Sequence, residues 1–280
     1  MNYFKIKSYA KVNLALNVIG KTSSLHKIES LISFLDLHDE IQIKKTNNKN
    51  HKIKFIGEFS NGIKSKNTIS KLLKNIDNKK LLRHKLEIII NKNIPSKSGL
   101  GGGSMNAANI LNFLIKKNFI KINKKEIIEI SNSVGSDVIL GLYSKNLILQ
   151  SDNSIKTFPI KRKLHTLVVK PKFGCSTKKI YSKVKKFSKL ELNNPSKNLF
   201  KSKILEKMKN DLEPIVFNNY PELKNLKNFL EKLSKIEFAR MTGSGSAIIG
   251  YFNSARMCKD AEKKVIKQFK NYWCKISKTI

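Results

Sequence analysis

Two rhythms of apolar residues alternate along this chain. Val12, Leu14, Leu16 and Val18 are interleaved with Asn13, Ala15 and Asn17, the period-two spacing of a strand. Ile41–Lys44, Lys52–Ile56 and Leu86–Asn91 predict further strands, and the β-branched stretch within the last suits a buried one. Asn67–Ile76 has helical spacing with Asn67 or Thr68 as its cap. Next comes Pro95-Ser96-Lys97-Ser98-Gly99-Leu100-Gly101-Gly102-Gly103-Ser104, after which Ala107, Ala108, Leu111, Leu114 and Ile115 fall at helical spacing. The local order is therefore strand, glycine loop, helix. A helix over Lys124–Ser133 and a polar turn over Ser133–Asp137 follow.

A second half begins near Asn146. It predicts strands at Asn146–Gln150 and Leu164–Lys170, and helices at Thr177–Lys185, Ile204–Asn218 and Pro221–Ser234. Polar Lys185–Asn198 reads as a loop. Thr242-Gly243-Ser244-Gly245-Ser246 precedes an apolar strand at Ala247–Phe252, and a helix at Ser254–Phe269 leads to Trp273–Ile276. Mixed strands and helices predict an α+β fold. The expected division is residues 1–150 and 151–280.

At 280 residues and 40% apolar, the chain can bury one large core or two modest ones. The net charge of +36 would invite a nucleic-acid reading, but nearly all of it is lysine spread along the chain. Arginine, which reads guanine edges and grips phosphate bidentately, occurs only at Arg83, Arg162, Arg240 and Arg256. Lysine, asparagine, isoleucine and phenylalanine all have A/T-rich codons, so genome composition accounts for the charge and no specific nucleic-acid partner is expected. The positive field would still draw in anionic nucleotides. Cys175, Cys258 and Cys274 are odd in number and far apart, which fits neither a disulfide framework nor a zinc site and suits a cytoplasmic protein. No run approaches the ~18–20 apolar residues of a membrane span, and the N-terminal Val12–Ile19 stretch is broken by Asn13 and Asn17, unlike a signal peptide.

The strongest chemical signal is Gly99–Ser104. Glycines let the backbone approach a phosphate, and the N–H groups and dipole of the helix that follows attract an anion. Ser104 adds a hydroxyl for a phosphate or Mg²⁺. A plain turn is the bland alternative, and the flanking strand and helix favour the phosphate cradle. No Gly-Lys-Ser/Thr ends the loop, so it is not a Walker A motif, nor is it the dinucleotide G-x-G-x-x-G. By themselves, Asp137 reads as a cap for the next element, Lys11 as one more solvated lysine, and Gly243 and Gly245 either close a site or turn the chain into a strand.

Taken together, Pro95-x-x-x-Gly99-Leu100-Gly101-Gly102-Gly103-Ser104-x-x-Ala107-Ala108, Ala10-Lys11-Val12-Asn13-Leu14 and Thr242-Gly243-Ser244-Gly245 resemble the three ordered motifs of the GHMP kinases, the superfamily of galactokinase, homoserine kinase and mevalonate kinase. That resemblance implies ATP, Mg²⁺ and phosphorylation of a small alcohol. It also implies an N-terminal domain like ribosomal protein S5 domain 2 and a ferredoxin-like C-terminal domain. His26, Phe34–Leu37, Gly135–Val138, Asn210–Glu213 and Arg240–Gly243 are most similar to the branch acting on the 2-hydroxyl of a cytidine-diphosphate-linked methylerythritol. By position, Asp137 matches the general base, and Lys11 the lysine that lowers the hydroxyl's pKa and neutralises the transferred phosphoryl group. Asn13 and His26 match substrate-side positions, Asn67 and Lys92 positions near the adenine, and Thr177 and Tyr181 the cytidine end. Three departures stand out. Lys21-Thr22-Ser23-Ser24-Leu25-His26 replaces Arg-x-Asp-Gly-Tyr-His, so the aromatic opposite Tyr181 is Leu25; Ile139 replaces a proline; and the loop opening Lys97-Ser98-Gly99-Leu100 lacks two glycines.

Overall fold

The computed structural model describes residues 2–23, 25–143, 145–159 and 163–280; Ser24 and Arg162, named above, lie outside them. In order, the first elements are strands β1 (Phe4–Lys21), β2 (His26–Thr46) and β3 (Lys52–Ile56), helix α1 (Thr68–Asn78), strand β4 (Lys85–Asn91), and helices α2 (Gly102–Lys116), α3 (Lys124–Val134) and α4 (Val138–Gly141). Strands β5 (Asn146–Leu149), β6 (Ile155–Phe158) and β7 (His165–Lys170) follow, then helices α5 (Thr177–Tyr181), α6 (Ser202–Lys207), α7 (Glu213–Asn219) and α8 (Pro221–Glu231). Strands β8 (Ile236–Met241) and β9 (Ile248–Phe252), helix α9 (Ala255–Gln268) and strand β10 (Trp273–Lys278) complete the described chain.

These elements form two compact units drawn from interleaved segments. The first takes Met1–Lys11, Leu37–Ser96 and Gly101–Ser144; the second takes Val12–Asp36, Lys97–Leu100 and Lys145–Ile280. In the first unit, β4 pairs antiparallel with Glu40–Thr46 of β2 and parallel with β3. Helices α1, α2 and α3 cover this surface around a core of Ile41, Ile43, Ile88, Leu111 and their neighbours. Helix α1 shows why the pattern was readable. Asn67 caps it through a reciprocal capping box with Ser70, and Ile69, Leu72, Leu73 and Ile76 form one buried stripe. Burial of each such side chain contributes about 1.5–3 kcal/mol before entropy is subtracted.

In the second unit, β5 pairs with Ser30–Ile32 of β2, and β6 with β5. An antiparallel sheet of order β10-β7-β9-β8 carries α8 and α9, which share one core through Leu223, Leu226, Leu230, Ala261 and Val265. Strand, helix, two strands, helix, strand in that order is the ferredoxin-like arrangement.

The expected helix over Ile204–Asn218 is in fact two, α6 and α7, with the chain breaking at Met208–Leu212. The break has a cause in hydrogen bonding. Asp211 Oδ2 accepts from the Val18 N–H at 2.7 Å, and the Asp211 N–H donates to the Leu16 carbonyl at 2.9 Å, so this segment serves β1 instead of its own helix. The helix expected over Thr177–Lys185 ends at Tyr181. Strand β8 escaped the pattern because Glu237 and Arg240 interrupt it.

Candidate active site

In the first unit, β4 runs out through Lys92–Pro95 and the chain re-enters at Gly101. Gly101 sits at the N-cap of α2 with φ +70°, where a side chain is strained, and a Cβ there would meet Lys11 Cγ at 2.8 Å. Gly102 is equally tight, since a Cβ would meet Ile94 Cγ2 at 3.0 Å and Lys92 Nζ at 3.3 Å. The Gly103 carbonyl accepts from Thr68 Oγ1 at 2.8 Å. No side chain caps α2 and no acidic residue lies in its first turn, so its N-terminus presents uncompensated positive potential. Ser104 stands in that turn, its Oγ 3.8 Å from where a Cβ on Gly135 would be.

Gly135 begins the turn that carries Asp137. Asp137 makes no cap bond to α4; its Oδ2 instead lies 3.4 Å from Lys11 Nζ. Lys11 is only 4% exposed, its stem laid against Gly101. Neither bland reading accounts for them: the lysine is not solvated, and the aspartate, though at the N-cap position of α4, makes no side-chain cap bond. A carboxylate and an ammonium thus meet beside an anion-attracting helix start.

Asn67 and Lys92, assigned by position to the adenine side, have their polar groups engaged. Asn67 Oδ1 accepts from the Ile69 and Ser70 N–H groups, and its Nδ2 donates to the Lys64 and Ser65 carbonyls. Lys92 Nζ donates to Asp39 Oδ2. Asp39 is wholly buried and also accepts from the Asn93 and Ile94 N–H groups and from Asn106 Nδ2. Pattern reading missed Asp39; its signal was an acidic residue on the strand face shared with Leu37, Ile41 and Ile43.

In the second unit the remaining loop residues meet the second glycine segment. Ser246 N–H donates to the Lys97 carbonyl and Ala247 N–H to that of Ser98, at 3.3 and 3.1 Å. Gly99, at φ +79°, is packed so closely that a Cβ would fall 2.0 Å from the Thr242 carbonyl oxygen. Leu100 is buried, and Pro95 is buried within the first unit. Gly243 and Gly245, both with positive φ, turn the chain tightly into β9. The same turn is held by Asn210, whose Nδ2 donates to the Met241 and Gly243 carbonyls, each at 2.8 Å. The Asn13 N–H donates to Thr242 Oγ1 at 3.1 Å, and Asn13 Nδ2 to Ser30 Oγ at 2.8 Å. So Asn13, Gly99, Gly243 and Gly245 cluster around Thr242, which the sequence quoted only as part of a motif.

Thr177 Oγ1 lies 2.9 Å from Ser244 Oγ. His26 and Tyr181 form a tilted ring pair with centroids 5.1 Å apart. Burial, aided by the charge of Lys21, lowers the His26 pKa below the usual imidazole value. Leu25 is 64% exposed, so the ring that meets Tyr181 is His26 and Leu25 offers an open apolar surface. The three cysteines are free thiols, pushed up by burial to about 11 for Cys175 and Cys274 and about 12 for Cys258, which leaves them inert near neutrality.

A family model described as GHMP kinases N terminal domain matches residues 67–145, and one described as GHMP kinases C terminal matches residues 191–275. The chain is 58% identical over 281 residues to the 4-diphosphocytidyl-2-C-methyl-D-erythritol kinase of Pelagibacter ubique (strain HTCC1062), covering 100% of both chains. It is 33% identical to the like-named kinase of Clostridium tetani (strain Massachusetts / E88), over 99% of this chain and 100% of that one. Its fold matches a crystal structure of 4-(cytidine 5'-diphospho)-2C-methyl-D-erythritol kinase with a TM-score of 0.77 at 21% identity, over 98% of this chain and 99% of the other.

Proposed function

The chain belongs to the GHMP kinases, and within them to the 4-diphosphocytidyl-2-C-methyl-D-erythritol kinases, and from that premise we propose how its residues transfer phosphate from ATP to the 2-hydroxyl of that alcohol. The observation that carries the reading is the Lys11–Asp137 pair at 3.4 Å beside the uncapped start of α2.

Asp137 accepts the proton of the attacking hydroxyl, whose oxygen bonds to the γ-phosphorus of ATP as the bond from that phosphorus to the β–γ bridging oxygen breaks and ADP leaves. The Lys11 ammonium, held in a mostly buried position, steadies the negative charge on that oxygen and on the phosphoryl oxygens. The N–H groups of Gly102, Gly103 and Ser104 bind the nucleotide's phosphates, which the close approach allowed by Gly101 and Gly102 brings into reach. Mg²⁺ favours oxygen ligands and commonly takes only one or two from protein, the rest coming from phosphates and water, and the Ser104 hydroxyl fits that donor set. When bound with ATP the metal supplies charge neutralisation at the phosphates. Asn13, Thr177, His26 and Tyr181 hold the alcohol, with Tyr181 stacking on the cytosine. In this reading residues 1–150 and 151–280 are the two family modules, and the enzyme works in the cytoplasm, for which its three unpaired thiols are suited.

The test is a side-by-side assay of purified protein with ATP and four alcohols: the diphosphocytidyl methylerythritol, mevalonate, homoserine and galactose. Preference for any of the last three overturns the substrate assignment.

A further inference from the structure

We infer that Asp39 is a positioning residue for the nucleotide: one buried carboxylate sets both flanks of the phosphate loop. The inference rests on the nucleotide-binding reading of that loop.

Asp39 lies in β2, outside the loop and outside the Lys11–Asp137 pair. Four donors converge on it. Its Oδ1 takes the N–H groups of Asn93 and Ile94, both at 2.8 Å, where the chain leaves β4. Its Oδ2 takes Lys92 Nζ, and also Asn106 Nδ2 at 2.9 Å, from the second turn of α2. The strand exit and the helix start are thereby tied to a single group with no exposed surface. The tie reaches the loop itself, because Lys92 Nζ lies 3.3 Å, and Ile94 Cγ2 3.0 Å, from where a Cβ on Gly102 would be.

A buried charge is costly unless it is paired and fully hydrogen-bonded, and this one is both. The arrangement is also directional. Two of the donors are backbone groups of adjacent residues, which fixes the course of the chain into Pro95 and not merely its proximity. Asn106 fixes the rotation of α2, and with it the direction in which the N–H groups of Gly102 and Gly103 point. A phosphate bound by backbone N–H groups is sensitive to that direction, since a hydrogen bond weakens steeply as its angle closes. Lys92 is held in place by the same carboxylate, which leaves its remaining donors beside Gly102.

The experiment measures binding of a non-hydrolysable ATP analogue by calorimetry, and the KM for each substrate, on the full-length protein. Asp39→Asn keeps an acceptor for the two backbone groups but turns an amide NH₂ toward the Lys92 ammonium, setting donor against donor there. Analogue affinity is expected to fall by about 10–10²-fold, with the KM for the diphosphocytidyl alcohol changed less than about twofold. Asn106→Ala removes only the tie to α2 and leaves the ion pair intact, so it reports even where Asp39→Asn fails to fold; it is expected to weaken the analogue by a smaller factor in the same direction. A folded Asn106→Ala protein that binds the analogue as wild type overturns the inference. So do equal losses for both substrates, which would mark general destabilisation. Failure of the wild-type protein to bind the analogue would instead overturn the underlying nucleotide reading.

Discussion

In the proposed mechanism Asp137 is the proton acceptor, while other groups hold the nucleotide. Asp137→Asn is therefore expected to lower turnover by about 10²–10⁴-fold and leave ATP affinity nearly unchanged. Single-turnover rates and calorimetry check this, and turnover within about a factor of two of wild type contradicts the assignment. Gly101→Val combines a strained φ of +70° with a clash against Lys11 Cγ. It should abolish nucleotide binding in a protein that still unfolds cooperatively. Leu25 and Tyr181 address the other substrate. An aromatic pair contributes about 0.5–1.5 kcal/mol beyond burial, so Leu25→Tyr should lower the KM for the diphosphocytidyl alcohol several-fold and Tyr181→Ala should raise it, neither changing that for ATP. These residues differ in how visible they were. Gly99–Ser104 is legible as a phosphate loop in the residues themselves, whereas Asp137 alone reads as a cap and only the family resemblance marked it. Asp39 and Asn106 act through convergence of distant segments on one buried point; a polar residue among apolar neighbours is all that the sequence shows of either.

Among the elements, those with both a cap and a stripe were legible. Helix α9 begins where Ser254 Oγ accepts from the Met257 N–H, and it buries Cys258, Ala261 and Val265 at helical spacing. The misread region 204–218 shows the opposite case, where tertiary hydrogen bonds outweigh an apparently continuous apolar pattern. Asn210 there has all its side-chain polar groups in use: two donations to the Met241 and Gly243 carbonyls and acceptance from the Leu212 N–H at 3.0 Å. Asn210→Ala leaves buried carbonyls without partners, at a cost of about 1–3 kcal/mol. A lowered urea midpoint with unchanged slope is the expected result. Strand β8 stayed hidden for a related reason. Arg240 looks misplaced in a buried strand, yet its guanidinium donates to the carbonyls of Leu14 at 3.3 Å and Leu205 at 3.0 Å. Burial lowers its pKa, partly offset by Glu213.

Over the whole molecule the net charge is +36, and the substrates proposed for it are anions. Attraction of this kind is screened beyond roughly 10 Å at about 0.1 M salt. The KM for ATP should therefore rise several-fold between about 0.05 and 0.5 M salt, mostly through slower association. A KM indifferent to salt would mean that the loop's own N–H groups provide nearly all of the attraction.

The interleaving of the two units has a consequence for how the chain is made. The first unit's segments are all present once residue 144 has been synthesised, whereas the second needs its far end. There β10 pairs with β7, the Thr279 N–H donates to the Leu164 carbonyl while Thr279 Oγ1 accepts from the Leu164 N–H, and the Ile280 N–H donates to the Phe34 carbonyl at 3.0 Å. Val12–Asp36 emerges early yet waits for residues 273–280, on the order of ten seconds at roughly 5–20 residues per second. Throughout that interval the core that Leu16 and Val18 share with α8, β9 and α9 is incomplete, which leaves them open to chaperones or to aggregation. Chains truncated after residue 150 or 272 should thus resist protease over 37–96 and 101–143 while being cut within 12–36, a gap that the presence of residues 273–280 should close.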